Sequence, residues 1–255
     1  LANGRIIDPA HPRRVFSALA TFGEMIIAVG SNSDIRKLAC KTTRVVDLNG
    51  AAALPGFVDS HCHLIGAARA ALHVDLTGDR SVRSVLKKIA RAAVETPADG
   101  WIIARGWNGA VSGIQAHKRL LDAALPGRKV FIRSYCGHAA WLSSAALDAA
   151  DVRRGVRSPN GGVIETDADG EPTGLLHENA VSLVSRLIPA PTAKDIRRAL
   201  KPTVQTFRRA GITGVHTMDT PTGAFAPLSA LDDHASLDIN ALPPLELTRP
   251  PPAQH

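Results

Sequence analysis

Three features of this sequence predict an α/β fold. Residues 81–94 and 192–210 repeat apolar side chains at the helical period. Short β-favouring runs at 101–104, 130–133 and 212–218 lie between and beyond these helices. The second helix ends at Gly211, immediately before a run that reads as a buried strand.

The elements follow in order. Residues 1–54 read as short strands and turns. Asn3-Gly4 is a turn dipeptide, 24–29 is a strand ended by Gly30, and 44–48 is a strand closed by Asn49-Gly50. Leu54-Pro55-Gly56 turns the chain into a buried strand that runs to Leu64. In the 81–94 helix Ser81 caps, and Val82, Val85, Leu86, Ile89, Ala90 and Ala93 share one face. A shorter helix at 117–125 stops at Pro126-Gly127. Gly161-Gly162 and Asp169-Gly170 punctuate a hairpin over 161–176. Thr192 with Asp195 three residues on is a capping box, and Ile196, Leu200, Val204 and Phe207 form the inner face of the helix it opens. Pro202 falls inside that helix, where proline costs about 3 kcal/mol. The Pro-rich residues 241–255 have no periodicity and are expected to fray.

Composition narrows the function classes. The 255 residues are 45% apolar and 21% charged, enough for one large or two modest globular domains. The longest apolar runs, such as 26–29 and 51–54, fall far short of the ~20 residues that span a bilayer. No membrane association is expected. The net charge of +7 comes from dispersed single and paired basic residues, with only 4% aromatics to interleave, so no nucleic-acid partner is expected. Cys40, Cys62 and Cys136 are odd in number and far apart, which disfavours a disulfide scaffold and a zinc finger and fits a reducing cytoplasm. The chain opens on Leu1 with no signal-peptide pattern, and is expected to be a fragment.

The chemistry-bearing motif is His61-Cys62-His63. On a strand, residues i and i+2 point to one face with Cα atoms about 6.5 Å apart. Two imidazoles so placed can close on one cation, while Cys62 points the other way. The alternative is a pair of structural histidines. The apolar run entered through Pro-Gly, with the pair at its C-terminal end, favours the metal.

The segment Ala53 to Leu64, ALPGFVDSHCHL, resembles the first barrel strand of the amidohydrolase superfamily. NGRIID, GEMIIAVG, WIIARGWN, CGHAAWLSSAAL, GGVIETDADGEPTGLLHENA and AGITGVHTMD occur in the order found in its amidohydrolase-3 branch, which includes N-substituted formamide deformylase-like proteins. The resemblance implies an incomplete TIM-type (β/α) barrel with an N-terminal partial β-sandwich and a large α+β insertion after the first barrel strand. The sandwich part would take 1–54, the first barrel strands 55–64 and 203–245, the insertion 65–202, and a disordered tail 246–255. It also implies metal-dependent hydrolysis of a non-peptide C–N bond in a small amide- or formamide-type substrate. The cofactor would be a divalent metal, zinc first, with one or two ions in full-length relatives.

Carried over residue by residue, the resemblance makes His61 and His63 metal ligands and Glu178 a candidate bridging carboxylate. His138, Trp107 and Trp141 would border the substrate pocket, as would Asn108, and His216 would point to the barrel rim or the core. For His138 with Trp141, the alternative is a buried histidine with its packing partner; for Glu178, it is a helix-start carboxylate beside the hairpin. Ser143 stands where the family pattern suggests Asn. The remaining ligands of the family lie on later strands, so the chain alone is expected to be inactive and only marginally folded outside 65–200. A non-catalytic binding or regulatory protein is the competing expectation.

Overall fold

Amphipathic patterning and local caps account for most of the elements. The structure, a computed structural model, describes residues 1–11, 13–109, 115–219 and 240–242. The chain divides into two units. The first comprises Leu1–Ser60, Phe207–His216 and Ile239–Leu242, and the second contains His61–Thr206 and residues 217–219. The 246–255 tail lies outside the described residues.

In the first unit, β1 (Arg5–Ile7) pairs antiparallel with β2 (Val15–Phe16) and parallel with β5 (Ala52–Ala53). β3 (Ala18–Phe22) and β4 (Met25–Gly30) form a hairpin whose turn uses Gly23 at φ 57°, a conformation that glycine adopts without side-chain clash. A short helix, α1 (Asn32–Arg36), starts at Ser31, whose hydroxyl accepts from the Asp34 N–H. The strand expected at 44–48 does not form. That segment contributes a single parallel bridge, Ala2 to Asp47, in which Ala2 N–H donates to Val46 C=O and Leu48 N–H to Ala2 C=O, a pairing too short to make a strand.

A three-stranded sheet has the order β6 (Phe57–Cys62), β13 (Ile212–Thr217), β14 (Asn240–Leu242). Phe57 N–H donates to Gly211 C=O and Met218 N–H to Cys62 C=O, so β6 and β13 run parallel, as do β13 and β14. Gly56, entering β6, sits so close to Thr213 that a Cβ there would collide with its side chain. This close approach is the physical reason for glycine in the Pro-Gly entry.

The second unit holds a six-stranded mixed sheet. β7 (Val74–Asp75), β8 (Trp101–Trp107) and β9 (Lys129–Ser134) are parallel neighbours. β10 (Ala139–Leu142), β12 (Pro172–Glu178) and β11 (Gly162–Thr166) continue the sheet antiparallel. Helix α3 (Val82–Glu95) connects β7 to β8, and α4 (Lys118–Ala124) precedes β9. Strand alternation splits the core in two. Val130, Ile132 and Trp141 join Val85, Ile89 and Leu121 on one face, while Phe131, Ala140 and Leu142 join Leu147, Ile164 and Val184 on the other. Both faces are therefore covered.

The sequence-predicted caps form. Ser81 accepts from Ser84 N–H at the start of α3. Thr192 and Asp195 exchange hydrogen bonds at the start of the long C-terminal helix (Ala193–Arg209), whose Ile196, Leu200 and Val204 are buried. Pro202 stays inside this helix on an exposed position, where its ring projects away from the packed face. Four helices go beyond the sequence expectations: α1, α2 (Leu64–Ala71), α5 (Ser144–Ala149) and α6 (Val181–Ser185). The C-terminal helix is α7. No described helix is long and apolar enough to cross a membrane.

Candidate metal centre

His61 lies near the end of β6 and His63 one residue beyond it, at the N-cap of α2 with φ −115° and ψ 79°. The backbone is still extended enough there for side chains to alternate. Cys62 is buried, whereas His61 and His63 are both exposed. The two imidazole centroids are 5.7 Å apart with ring planes at 73°. Two imidazoles sharing one tetrahedral zinc would have centroids about 5 Å apart. The pair's spacing is therefore close to that of two positions of one cation.

A carboxylate stands beside His63. Asp219, two residues past β13, has a side chain only 12% exposed, and its Oδ1 is 3.8 Å from His63 Nδ1. Its Oδ2 accepts from Ile65 N–H at 2.7 Å and from the Thr217 hydroxyl at 2.6 Å. Sequence pattern singles out His216 on this strand and not Asp219. The available signal was the i, i+2 relation of Thr217 to Asp219 at the strand end, which directs both side chains toward the start of α2. His216 is half-buried on β13.

The other expected site residues gather elsewhere. Glu178 does not join His61 and His63, since among the described residues no group of three or more His, Cys, Asp or Glu is placed to hold a metal. Its carboxylate pairs instead with His138, Oε2 to Nδ1 at 2.9 Å, both side chains being exposed. Glu178 N–H also donates to His138 C=O, and Glu178 has φ 50°, unusual for a residue with a Cβ. The hydrogen bond and charge of Glu178 raise the His138 pKa above the ordinary histidine value. Neighbouring Cys136 is lowered by the Ser134 hydroxyl and then by the His138 backbone N–H.

Trp107 and Trp141 are in the core, with ring centroids 5.6 Å apart. Trp141 has no exposed surface, and neither indole N–H has an acceptor among the described residues. Ser143 is fully buried and caps α5, a structural role for the position where the family pattern suggests Asn.

The residue pattern on this scaffold matches the amidohydrolase family model over residues 44–252. The chain belongs to the amidohydrolase family. It is 37% identical over 185 residues to the putative amidohydrolase YtcJ of Bacillus subtilis, covering 72% of this chain and 35% of YtcJ. To the N-substituted formamide deformylase of Arthrobacter pascens it is 33% identical over 189 residues, covering 72% of this chain and 34% of that enzyme. The exoenzymes regulatory protein AepA of Pectobacterium carotovorum is 27% identical over 246 residues, 93% of this chain and 53% of AepA. The chain thus spans about a third to a half of the length of these family members. In fold it resembles an uncharacterized metal-dependent hydrolase from Pyrococcus furiosus, with a TM-score of 0.67 at 23% identity, over 95% of this chain and 48% of that one.

Proposed function

We propose that this chain carries the first metal-binding strand of a hydrolase that cleaves a non-peptide C–N bond in a small amide- or formamide-type substrate. In this reading β6, β13 and β14 are opening strands of a (β/α) barrel, with residues 1–54 forming part of a β-sandwich. The observation that carries the proposal is the imidazole pair, His61 and His63, exposed side by side at the end of β6. They would hold a divalent cation, zinc being suited to two imidazole nitrogens. Such a cation supplies Lewis-acid chemistry, bringing the pKa of bound water to about 7 and polarising a carbonyl.

The chain's own residues have separable tasks. His61 and His63 donate ring nitrogens. His138, exposed and held by Glu178, is the group that faces substrate. Trp107 and Trp141 stiffen the sheet from which His138 projects. The activity itself is proposed for the whole family architecture, and support for its substrate class comes from likeness to the formamide deformylase over 72% of the chain.

A second reading, a regulatory protein without turnover, draws support from likeness to AepA over 93% of the chain. Metal content tests the first reading. The chain is stripped with chelator, dialysed against limiting Zn2+ and analysed by atomic emission. Stoichiometric zinc retained by wild type and lost in His61→Ala and His63→Ala is the expected result. Equal retention by both variants would refute the assignment. Hydrolysis of a panel of N-formyl and N-acyl amines by the zinc-loaded protein then separates enzyme from regulator.

A further inference from the structure

Helix α2 is capped from far along the chain. His63 occupies the N-cap position, yet its side chain makes no capping hydrogen bond. An N-cap side chain ordinarily accepts from the first-turn N–H groups. Here those donors go to β13 and the residues just after it: Leu64 N–H to Thr217 Oγ1 at 3.3 Å, and Ile65 N–H to Asp219 Oδ2 at 2.7 Å. The imidazole of His63 is thereby released from capping.

The same arrangement fixes the carboxylate. Thr217 donates its hydroxyl to Asp219 Oδ2, so that oxygen holds two donors and cannot swing freely. The other oxygen, Oδ1, is left facing His63 Nδ1 at 3.8 Å. A carboxylate beside one ring nitrogen favours the proton on that nitrogen and leaves the lone pair on the other. Since Asp219 is largely enclosed and His63 is 60% exposed, the acid is the fixed partner and the imidazole the one that is oriented.

We propose that Asp219 is a positioning residue for His63, holding the imidazole with its proton on Nδ1 so that Nε2 is the nitrogen available to a cation. The consequence for metal affinity rests on the metal-binding reading of His63 given above; the tautomer does not.

Asp219→Asn separates positioning from capping. The amide oxygen can still accept from Ile65 and Thr217, while the amide nitrogen, a donor, takes the side facing His63. The full chain, metal-free and 15N-labelled, is measured by long-range 1H–15N NMR, with the His63 signals assigned by comparison with His63→Gln. Wild type is expected as the Nδ1–H tautomer and Asp219→Asn as predominantly Nε2–H, with unchanged far-UV circular dichroism. A role confined to capping leaves the tautomer the same in both, and that result overturns the proposal. So does a wild-type Nε2–H tautomer, which needs no variant to detect.

Zn2+ affinity is read by competition with a chromophoric chelator. Asp219→Asn is expected to bind about 10–100-fold more weakly than wild type, the range for loss of an outer-shell partner. Equal affinity with an altered tautomer overturns the link to the metal. Failure of wild type to bind Zn2+ overturns the metal reading, and the tautomer measurement then decides the role of Asp219.

Discussion

Ser143→Ala removes a buried hydroxyl that serves three backbone groups at once. Its Oγ accepts from Val130 N–H at 2.9 Å and from Ala146 N–H at 3.3 Å, and donates to Arg128 C=O at 2.7 Å. Val130 is fully buried, so its orphaned N–H carries a desolvation cost of about 1–3 kcal/mol. Loss of the α5 cap adds about 1 kcal/mol. The bond to the Arg128 carbonyl lies in a part-buried setting, so its loss is taken to add little. The expected destabilisation is about 2–4 kcal/mol, or about 4–16 °C in Tm for a unit of this size. Trp101, Trp107 and Trp141 are the only tryptophans and all lie in the six-stranded sheet, so guanidinium unfolding followed by their fluorescence reports on this unit. A loss below about 1 kcal/mol would refute the claim that Ser143 is the junction of β9, β10 and α5.

Other substitutions probe different parts of the molecule. Pro202→Ala restores a missing helical N–H on an exposed position of α7 and should raise stability by about 2 kcal/mol, once the greater freedom of the unfolded alanine chain is subtracted; thermal unfolding by circular dichroism checks this. Gly174 has φ 101°, and a Cβ there would lie 2.6 Å from Leu142 C=O, so Gly174→Ala should cost at least about 2 kcal/mol in the same assay. For His138, NMR titration should give a midpoint above the ordinary histidine value, and Glu178→Gln should lower it. Because this folded-state pKa is raised, its stabilising contribution is complete below about pH 6.5 and is lost as pH rises through the folded midpoint. A midpoint insensitive to Glu178→Gln would show that the ion pair does not persist in solution.

Elements with local signals were legible in the sequence. Ser81 and the Thr192–Asp195 box mark the starts of α3 and α7, and the 3.6-residue spacing of Val85, Ile89, Leu200 and Val204 marks their buried faces. Helix α2 carries no such mark because its cap comes from Thr217 and Asp219, which local pattern cannot pair with residue 64. The same non-locality hid Asp219 as the neighbour of His63. Strand β10 and helix α5 share the run Ala139–Ala149, each too short to show a period, so Ser143 as a cap was its one local signal. In the first unit, the 44–48 run has strand-like residues, but pairing depends on a partner edge that the run itself does not specify. The imidazole pair was readable because strand alternation is a two-residue rule. Glu178 and His138 meet through the register of β12 with β10, in which His177 faces Ala139.

The distant cap of α2 has a consequence for biosynthesis. The acceptors for Leu64 and Ile65 are 153 and 154 residues downstream. At about 5–20 residues per second, His63 is synthesised roughly 8–30 s before Asp219. Throughout that interval His63 lacks the carboxylate that faces it, and the intervening sheet must emerge and close a long loop first. Under the proposed metal reading, a nascent chain halted before residue 217 would present His63 without the carboxylate that orients it.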